Sequence, residues 1–511
     1  MLTKVYYSTV AMVAVLGSFF TAVEIARLAA GYPGAVLGVP AVIFAFTVSR
    51  RPGGEPVPQK VMAAVALSVL AGASVWLGAQ MAVHPVIGGA VFVALMAGSI
   101  WTRRFGAAVT RLGALVPLAL IAALLSAGSA TGHLAWWPIC GWMALVGFSA
   151  FVWVRVVRLV AEKLTGLPGS PLAQAPAKRS ARRAGLSPRS RMALQMAVAL
   201  TAAFSLGHLI FGEHWQWCVI SAMVVSLGPV GRGDLALKGV ERGLGAMAGT
   251  LVAALIAAVA EPHGTTSIVL IFVVLAVATT LRTYNYAFYA AGITTALSMF
   301  YGYFGQSPEH LLLIRLQALV LGAVLAVVVG WFLVPVRTGD AVRARLGATL
   351  AALASLLDAR RDGASTAKAL AAFDAAATNL NASARSHRLY RRATRRLGAG
   401  HRITPADAGE ALLAARGPVH ALAASEPGPR EGATAETVRL LRRAVSAPTD
   451  TLPELPEPAV TAPLAYLDAA LRRFAAAIPA LAKGRHPRWP AAARPSSPRF
   501  PPPDRHWPTS G

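Results

Sequence analysis

Residues 310–335 read HLLLIRLQALVLGAVLAVVVGWFLVP, an apolar run whose one permanently charged residue is Arg315. About 20 apolar residues suffice for a helix to cross a bilayer core, so this stretch reads as a membrane span. A guanidinium within such a span is expensive and marks a candidate functional position. The run 241–259, ERGLGAMAGTLVAALIAAV, repeats the arrangement with Arg242. Each arginine precedes a glycine by the same interval on its helix, Gly249 for Arg242 and Gly322 for Arg315. Two cations placed alike in two spans suggest a path for anions.

The composition extends this reading to the whole chain. Hydrophobic residues make up 55% of it and charged residues only 14%, with further apolar runs of bilayer length. These values indicate an integral membrane protein. The net charge of +26 would suggest nucleic acid in a soluble protein. Here the basic residues gather in short connections between spans and in the C-terminal region, so positive-inside bias and anionic lipid account for them, and no nucleic-acid partner is indicated. Cys140 and Cys218 fall in spans without CxxC spacing, which argues against both a disulfide framework and a metal site. The N-terminal KVYYSTVAMVAVLGSFF reads as a first span rather than a cleaved signal.

Hydropathy and helix breakers place spans at 5–27, 33–49, 61–82, 84–101, 112–128, 134–156, 190–210, 215–230, 240–260, 266–282, 285–304 and 311–335. Arg50, Arg51 and Lys60, then Arg103, Arg104 and Arg111, then the cluster from Arg155 to Arg191, share one side. The positive-inside rule makes that side cytoplasmic, with both termini there, in the cell membrane. The expected fold is therefore all-α: a polytopic membrane protein of two six-span halves, 1–160 and 190–336, joined by a basic linker at 161–189. A cytoplasmic helical domain at 337–483 and a disordered Pro-rich tail at 484–511 follow.

Internal similarity supports the two halves. GYPGAVLGVPAVIF aligns with GEHWQWCVISAMVV, and FVWVR with FLVPVR, as expected of a duplicated unit. Within the second half, the seventh to ninth spans and the tenth to twelfth begin on opposite sides, the form of an inverted repeat. The first half has Lys60 near the Arg242 position and Trp136–Trp137 near the Arg315 position, so the second half is expected to carry more of the chemistry.

Each candidate has a plainer alternative. Arg242, beside Lys238 and Glu241, could snorkel to headgroups. Arg315 lies toward the outer side, where basic residues do not normally collect, so snorkelling explains it less well. Topology alone could account for Arg282. Gly245 and Gly249 form a GxxxG step followed by Thr250, which fits close helix packing. His208, Glu213 and His214 could titrate in proton coupling, or belong with Trp215 and Trp217 to an interfacial aromatic belt. Tyr284, Tyr286, Tyr289 and Trp215 could stack on a planar ring whose carboxylate an arginine holds. There is no GxxxxGK[ST] and no HExxH, so the sequence points away from an enzyme and names no cofactor.

The runs HWQWCVISAMVV, ERGLGAMAGTLVAALI, RTYNYAFYAAGITTAL and RLQALVLGAVLAVVVGWFLVP together resemble the fusaric acid resistance (FUSC) family, which includes aromatic carboxylic acid exporters. The resemblance is clearest over 190–336. It falls on Trp215, Arg242, Gly245, Gly249, Thr250, Asn285, Tyr286, Thr294, Arg315, Gly322 and Pro335. It implies an inner-membrane protein of six-span units that exports small organic anions, with Thr294 added to the substrate contacts and Gly322 to the packing positions. Many bacterial members carry a large soluble insert between the membrane halves, where this chain has only the linker near Pro171. The plant aluminium-activated malate channels are similar in layout, which keeps a passive anion channel open. A membrane scaffold with a cytoplasmic partner-binding domain is the third reading. Candidate partners are the organic anion, the bilayer, a second copy of the chain and an accessory efflux subunit.

Overall fold

The computed structural model describes residues 2–29, 34–51, 56–127, 136–166, 188–228, 231–259, 265–282, 284–304, 309–333, 338–396, 405–426, 428, 431–446, 454–457 and 463–481. All regular structure among them is helical. Most of the basic linker and the entire Pro-rich tail expected from the sequence lie outside the described residues, as does Pro335. The chain divides into a membrane unit up to Pro335 and a second unit from Val336 onward.

The first half of the membrane unit comprises α1 (Leu2–Leu28), α2 (Gly34–Val48), α3 (Val57–Val83), α4 (Pro85–Thr102), α5 (Ala107–Gly113), α6 (Val116–Ala127) and α7 (Trp136–Thr165). The second half comprises α8 (Pro188–Phe211), α9 (Gln216–Ser226), α10 (Arg232–Ala257), α11 (Thr265–Leu281), α12 (Tyr286–Tyr303) and α13 (Glu309–Phe332). Every expected span coincides with a helical segment, but two differ in form. The fifth is divided between α5 and α6. The eighth, expected to reach residue 230, ends at Ser226. Among the described residues, eight helices are long and apolar enough to cross a membrane; Val36–Val48, Gln216–Ser226 and Thr266–Leu281 are shorter apolar helices. At about 1.5 Å per residue, α9 covers only about half of a bilayer core.

The halves share a packing plan. α1 packs on α2 as α8 packs on α9. α7 lies against α1, α2 and α3 as α13 lies against α8, α9 and α10. α3 pairs with α6 as α10 pairs with α12. Contacts between the halves are also reciprocal: α4 meets α8 while α11 meets α1, and α6 meets α9 while α12 meets α2. This is the pattern of two homologous bundles facing each other about a pseudo-twofold axis.

Glycines set the closest approaches. A Cβ on Gly245 would stand 2.6 Å from the Ala287 carbonyl oxygen, and one on Gly249 would overlap the Ala291 carbonyl, so the backbones of α10 and α12 touch. Gly322 brings α13 against the Cys218 carbonyl of α9 in the same way. In the first half, Gly78 on α3 approaches the Ala123 carbonyl of α6 within 2.8 Å of where its Cβ would be. Small residues permit this packing where lipid supplies no hydrophobic drive between helices.

The second unit is built from α14 (Thr338–Arg361), α15 (Ala367–Arg396), α16 (Pro405–Leu413), α17 (Arg416–Ala424), α18 (Glu431–Ser446) and α19 (Leu464–Ala477). Leu346, Leu350, Leu353 and Leu357 lie along one face of α14, in a core with Phe373, Leu412, Val438, Leu441, Leu471 and Phe474. The Arg360 guanidinium is buried in this unit and donates to Glu431 at 2.8 Å and to the Ser425 carbonyl at 3.0 Å. Glu431 also accepts from the Gly428 amide, which ties the α17–α18 connection to the end of α14.

Gly249→Val should destabilise the membrane unit by at least the about 1–3 kcal/mol typical of overpacking, because the obstructing atom is backbone. Gly98→Ala, where no atom lies within 4 Å, should be neutral or slightly stabilising in thermal melts of the detergent-solubilised protein. Glu431→Ala leaves the Arg360 charge buried without its carboxylate and should cost the second unit about 3–5 kcal/mol. Amide exchange in α14 and α18 is the measurement.

Candidate functional site

Arg315 is only 7% exposed, about 9 Å along α13 from its start at Glu309. One terminal nitrogen donates to Ser298 Oγ on α12 at 3.1 Å. The guanidinium lies 4.0 Å from the Trp217 ring centroid, a cation–π contact, and 5.7 Å from that of Tyr301. Trp217 and Tyr301 meet edge to face. Arg315 Nε is buried and has no hydrogen-bond partner.

Arg242 is 6% exposed on α10, and its Nε is likewise buried and unpartnered. Its charge and that of Arg315 interact unfavourably across the helix interface. A third unpartnered atom belongs to the same region: Thr294 Oγ1 on α12, in a residue only 2% exposed. Buried polar atoms of native proteins are nearly always satisfied, so three such groups on adjoining helices call for an explanation.

The second half's internal repeat accounts for how the three arise. One constant offset carries Cys218, Ser221, Arg242 and Gly249 onto Ala291, Thr294, Arg315 and Gly322. Gly322 sits against Cys218 and Ser221, and Gly249 sits against Ala291 and Thr294, atom for equivalent atom. The hydroxyls diverge: Ser221 donates to the Leu319 carbonyl of α13, whereas the equivalent carbonyl on α10, Ala246, accepts from Thr250. Thr294 is therefore left with a free hydroxyl at the position where its counterpart is satisfied. Thr250 bonds within its own helix instead of bridging to a neighbour.

From Arg242 the positive charge continues toward the basic end of the bundle. Lys238 interacts with Arg242 and Arg282, and its ammonium lies 5.4 Å from the Tyr286 ring centroid. That ammonium donates to the carbonyls of Val224 and Leu227 at the C-terminus of α9. A cation there satisfies carbonyls that have no partner within the helix and complements the helix dipole. Arg282 and Arg50 both lie 5.1 Å from the Tyr289 ring centroid, which is itself stacked with Phe46. Glu241, buried on α10, interacts with Tyr286 and is the carboxylate of this cluster. Asn285 caps α12 by accepting from the Ala287 amide at 2.9 Å.

Several sequence candidates lie elsewhere. Trp215 is buried against Phe204 and His208, and it is Trp217, not Trp215, whose ring covers Arg315. His208 stacks on Trp215 at 4.5 Å, with its Nε2 buried and unpartnered. Glu213 is exposed and His214 half-buried in the short turn before α9. None of the three has a contact that reaches either buried arginine. Tyr284 is exposed at the basic end. The structure adds Trp217, Ser298, Tyr301, Lys238 and Arg50 to the surroundings of the arginines. Of these, Ser298 and Tyr301 continue the helical face of Thr294 at i+4 and i+7, a spacing visible in the sequence once Thr294 is chosen.

Helices of this length and apolarity, packed as paired bundles, define a multi-pass all-α membrane protein. Residues 197–329, which include every polar group just described on α10, α12 and α13, match the family model described as fusaric acid resistance protein-like. Over those residues the second membrane half is similar to that family. No curated protein and no solved structure matches it.

The orphaned hydroxyl gives a direct contrast. Thr294→Val removes a buried group that has no partner and should leave thermal stability unchanged or raised, since no hydrogen bond is lost. Ser298→Ala takes away the bonded partner of Arg315 and should destabilise by about 1.5–3 kcal/mol. Paired melting curves of the two variants check this.

Proposed function

We propose that the protein is a transporter of the cytoplasmic membrane that exports small organic anions, with aromatic carboxylates as the preferred class. The observation that carries the reading is the set of unpartnered donors, Arg242 Nε, Arg315 Nε and Thr294 Oγ1, in a region of net positive charge. A carboxylate offers them charge-assisted hydrogen bonds, and its negative charge offsets the repulsion between the arginines. Trp217, Tyr301, Tyr286 and Tyr289 provide ring faces and edges for a planar substrate.

The cations form a graded approach to that site. Arg50 and Arg282 stand at the basic end, taken as cytoplasmic, where they would concentrate anions; Lys238 follows, then Arg242, then Arg315. Their sequence along the helices fits passage from the cytoplasm outward. Export against a gradient needs an energy source. Within the membrane unit, His208, Glu213 and His214 are the candidates for proton coupling, acting through Trp215 and α9 because they do not reach the arginines directly.

A passive channel would use the same cations. The cover of Trp217 and Tyr301 over Arg315 favours a carrier with an occluded site, because an open pore would leave that guanidinium wet.

In proteoliposomes loaded with benzoate, the unsubstituted protein should release it, Arg315→Ala should abolish release without loss of expression, and Arg315→Lys should retain part of it. Full release from Arg315→Ala would remove this residue from the mechanism. Benzoate-dependent current without proton movement would identify a channel instead.

A further inference from the structure

The closest contacts of the second membrane half fall into two mechanical kinds. In α10/α12 and in α9/α13, glycines meet backbone: Gly245 and Gly249 against the Ala287 and Ala291 carbonyls, Gly322 against the Cys218 carbonyl. The Thr295 hydroxyl adds a bond to the Gly249 carbonyl at 2.9 Å, and Ser221 adds one to Leu319. Sliding either pair would drive carbonyl oxygen into helix backbone. Between α10 and α13 the atoms nearest the glycines are side-chain tips, Val327 Cγ2 at Gly239 and Leu235 Cδ2 at Gly330, while the Ala323 carbonyl oxygen stands farther from Gly239, at ordinary contact distance. Such tips yield by rotamer change, so this seam offers less resistance to movement.

Polar contacts fasten the same seam at its two ends. At one end Arg315 of α13 reaches Ser298 of α12, while Trp217 of α9 packs on Tyr301 of α12. At the other, Lys238 of α10 holds the last carbonyls of α9. The unpartnered Nε of Arg242 and hydroxyl of Thr294 lie on helices bordering this seam. Every acceptor in both fastenings is neutral: a hydroxyl or a main-chain carbonyl.

Resting on the transport reading above, we infer that the second membrane half moves as two bodies, α8/α9/α13 and α10/α11/α12, and that Lys238 is the positioning residue closing the seam at its basic end. An arriving carboxylate is a stronger acceptor for the ammonium than the Val224 and Leu227 carbonyls. It draws Lys238 away from α9 and frees that end of the seam. The opposite end stays closed by Arg315 and Trp217 until the anion reaches Arg315 and competes with Ser298 in turn. Neither body needs internal rearrangement, which the backbone contacts forbid. The inverted repeat exchanges the two bodies, so opening at one end is the structural counterpart of opening at the other.

Disulfide trapping in the full chain tests this. Gly239→Cys with Val327→Cys, in a Cys218→Ala background, spans the seam; Gly207→Cys beside the native Cys218, whose Cβ atoms would be 3.4 Å apart, joins α8 to α9 within one body. Oxidation with copper phenanthroline should stop benzoate release through the first variant, with reductant restoring it, and leave the second active. Benzoate should slow formation of the 239–327 disulfide. Adding Lys238→Met should make it slow with or without benzoate, by about tenfold, the scale of a lost charge-assisted hydrogen bond, and Lys238→Arg should restore both rate and response. A cross-seam disulfide that leaves release intact, or a disulfide rate indifferent to Lys238→Met, overturns the inference. Absence of benzoate release from the unsubstituted protein counts against the transport reading, while the dependence of the disulfide rate on Lys238 still decides the seam.

Discussion

Where two helices approach until a glycine Cα faces a carbonyl oxygen, side chains cannot lie between them and must be displaced to either side. Gly249 does this for α10 against α12, and Gly322 for α13 against α9. The arginine two turns earlier on each helix is thereby held at a fixed height and rotation beside the neighbouring helix. Arg242 and Arg315 are buried because these backbones are in contact; spacing them apart would let both side chains reach headgroups or water. The glycines are thus the condition for both cations being buried.

The second consequence concerns charge. Arg158, the buried cation of the first half, donates to the carbonyls of Val48, Ser49 and Arg51 at the end of α2. Lys238 does the same for α9 in the second half. Both short helices therefore end on a cation, supplied by α7 in one half and by α10 in the other. The second half adds two more buried arginines, Arg242 and Arg315, that cap no helix and whose Nε atoms have no partner. A first half that satisfies its buried cation with main-chain carbonyls is suited to serve as scaffold, and a second half with spare donors is suited to bind.

Much of this was legible in the sequence, for definite reasons. Spans are read from the length of apolar runs, which the bilayer fixes, and the inverted repeat from the seventh to ninth and tenth to twelfth spans beginning on opposite sides. Rotational detail was not legible. Trp215 and Trp217 are two residues apart at the mouth of one helix, and only the turn at Gly212–His214 decides that Trp217 faces Arg315 while Trp215 faces Phe204. Lys238 resembled an ordinary positive-inside residue because its task depends on α9 stopping at Ser226, a boundary that hydropathy alone placed four residues too late. The free hydroxyl of Thr294 depends on Thr250 occupying the Ala246 carbonyl, a contact that no spacing rule predicts.

The break in the repeat's symmetry at that hydroxyl bears on direction. Two strictly equivalent repeats would offer an anion the same donors near Arg242 as near Arg315, and the site would have no preferred side. Ser221 is spent on Leu319, whereas Thr294 is free, so the donors are unevenly divided between the two bodies. The cations that extend the path, Lys238, Arg282 and Arg50, also lie on one side only, while the other end is closed by Trp217 and Tyr301. A symmetric backbone with polar groups arranged unequally on it can pass through equivalent inward and outward forms yet bind its anion differently in each. On the proposed transport reading, that inequality would supply a preference for one side without a different fold for each state.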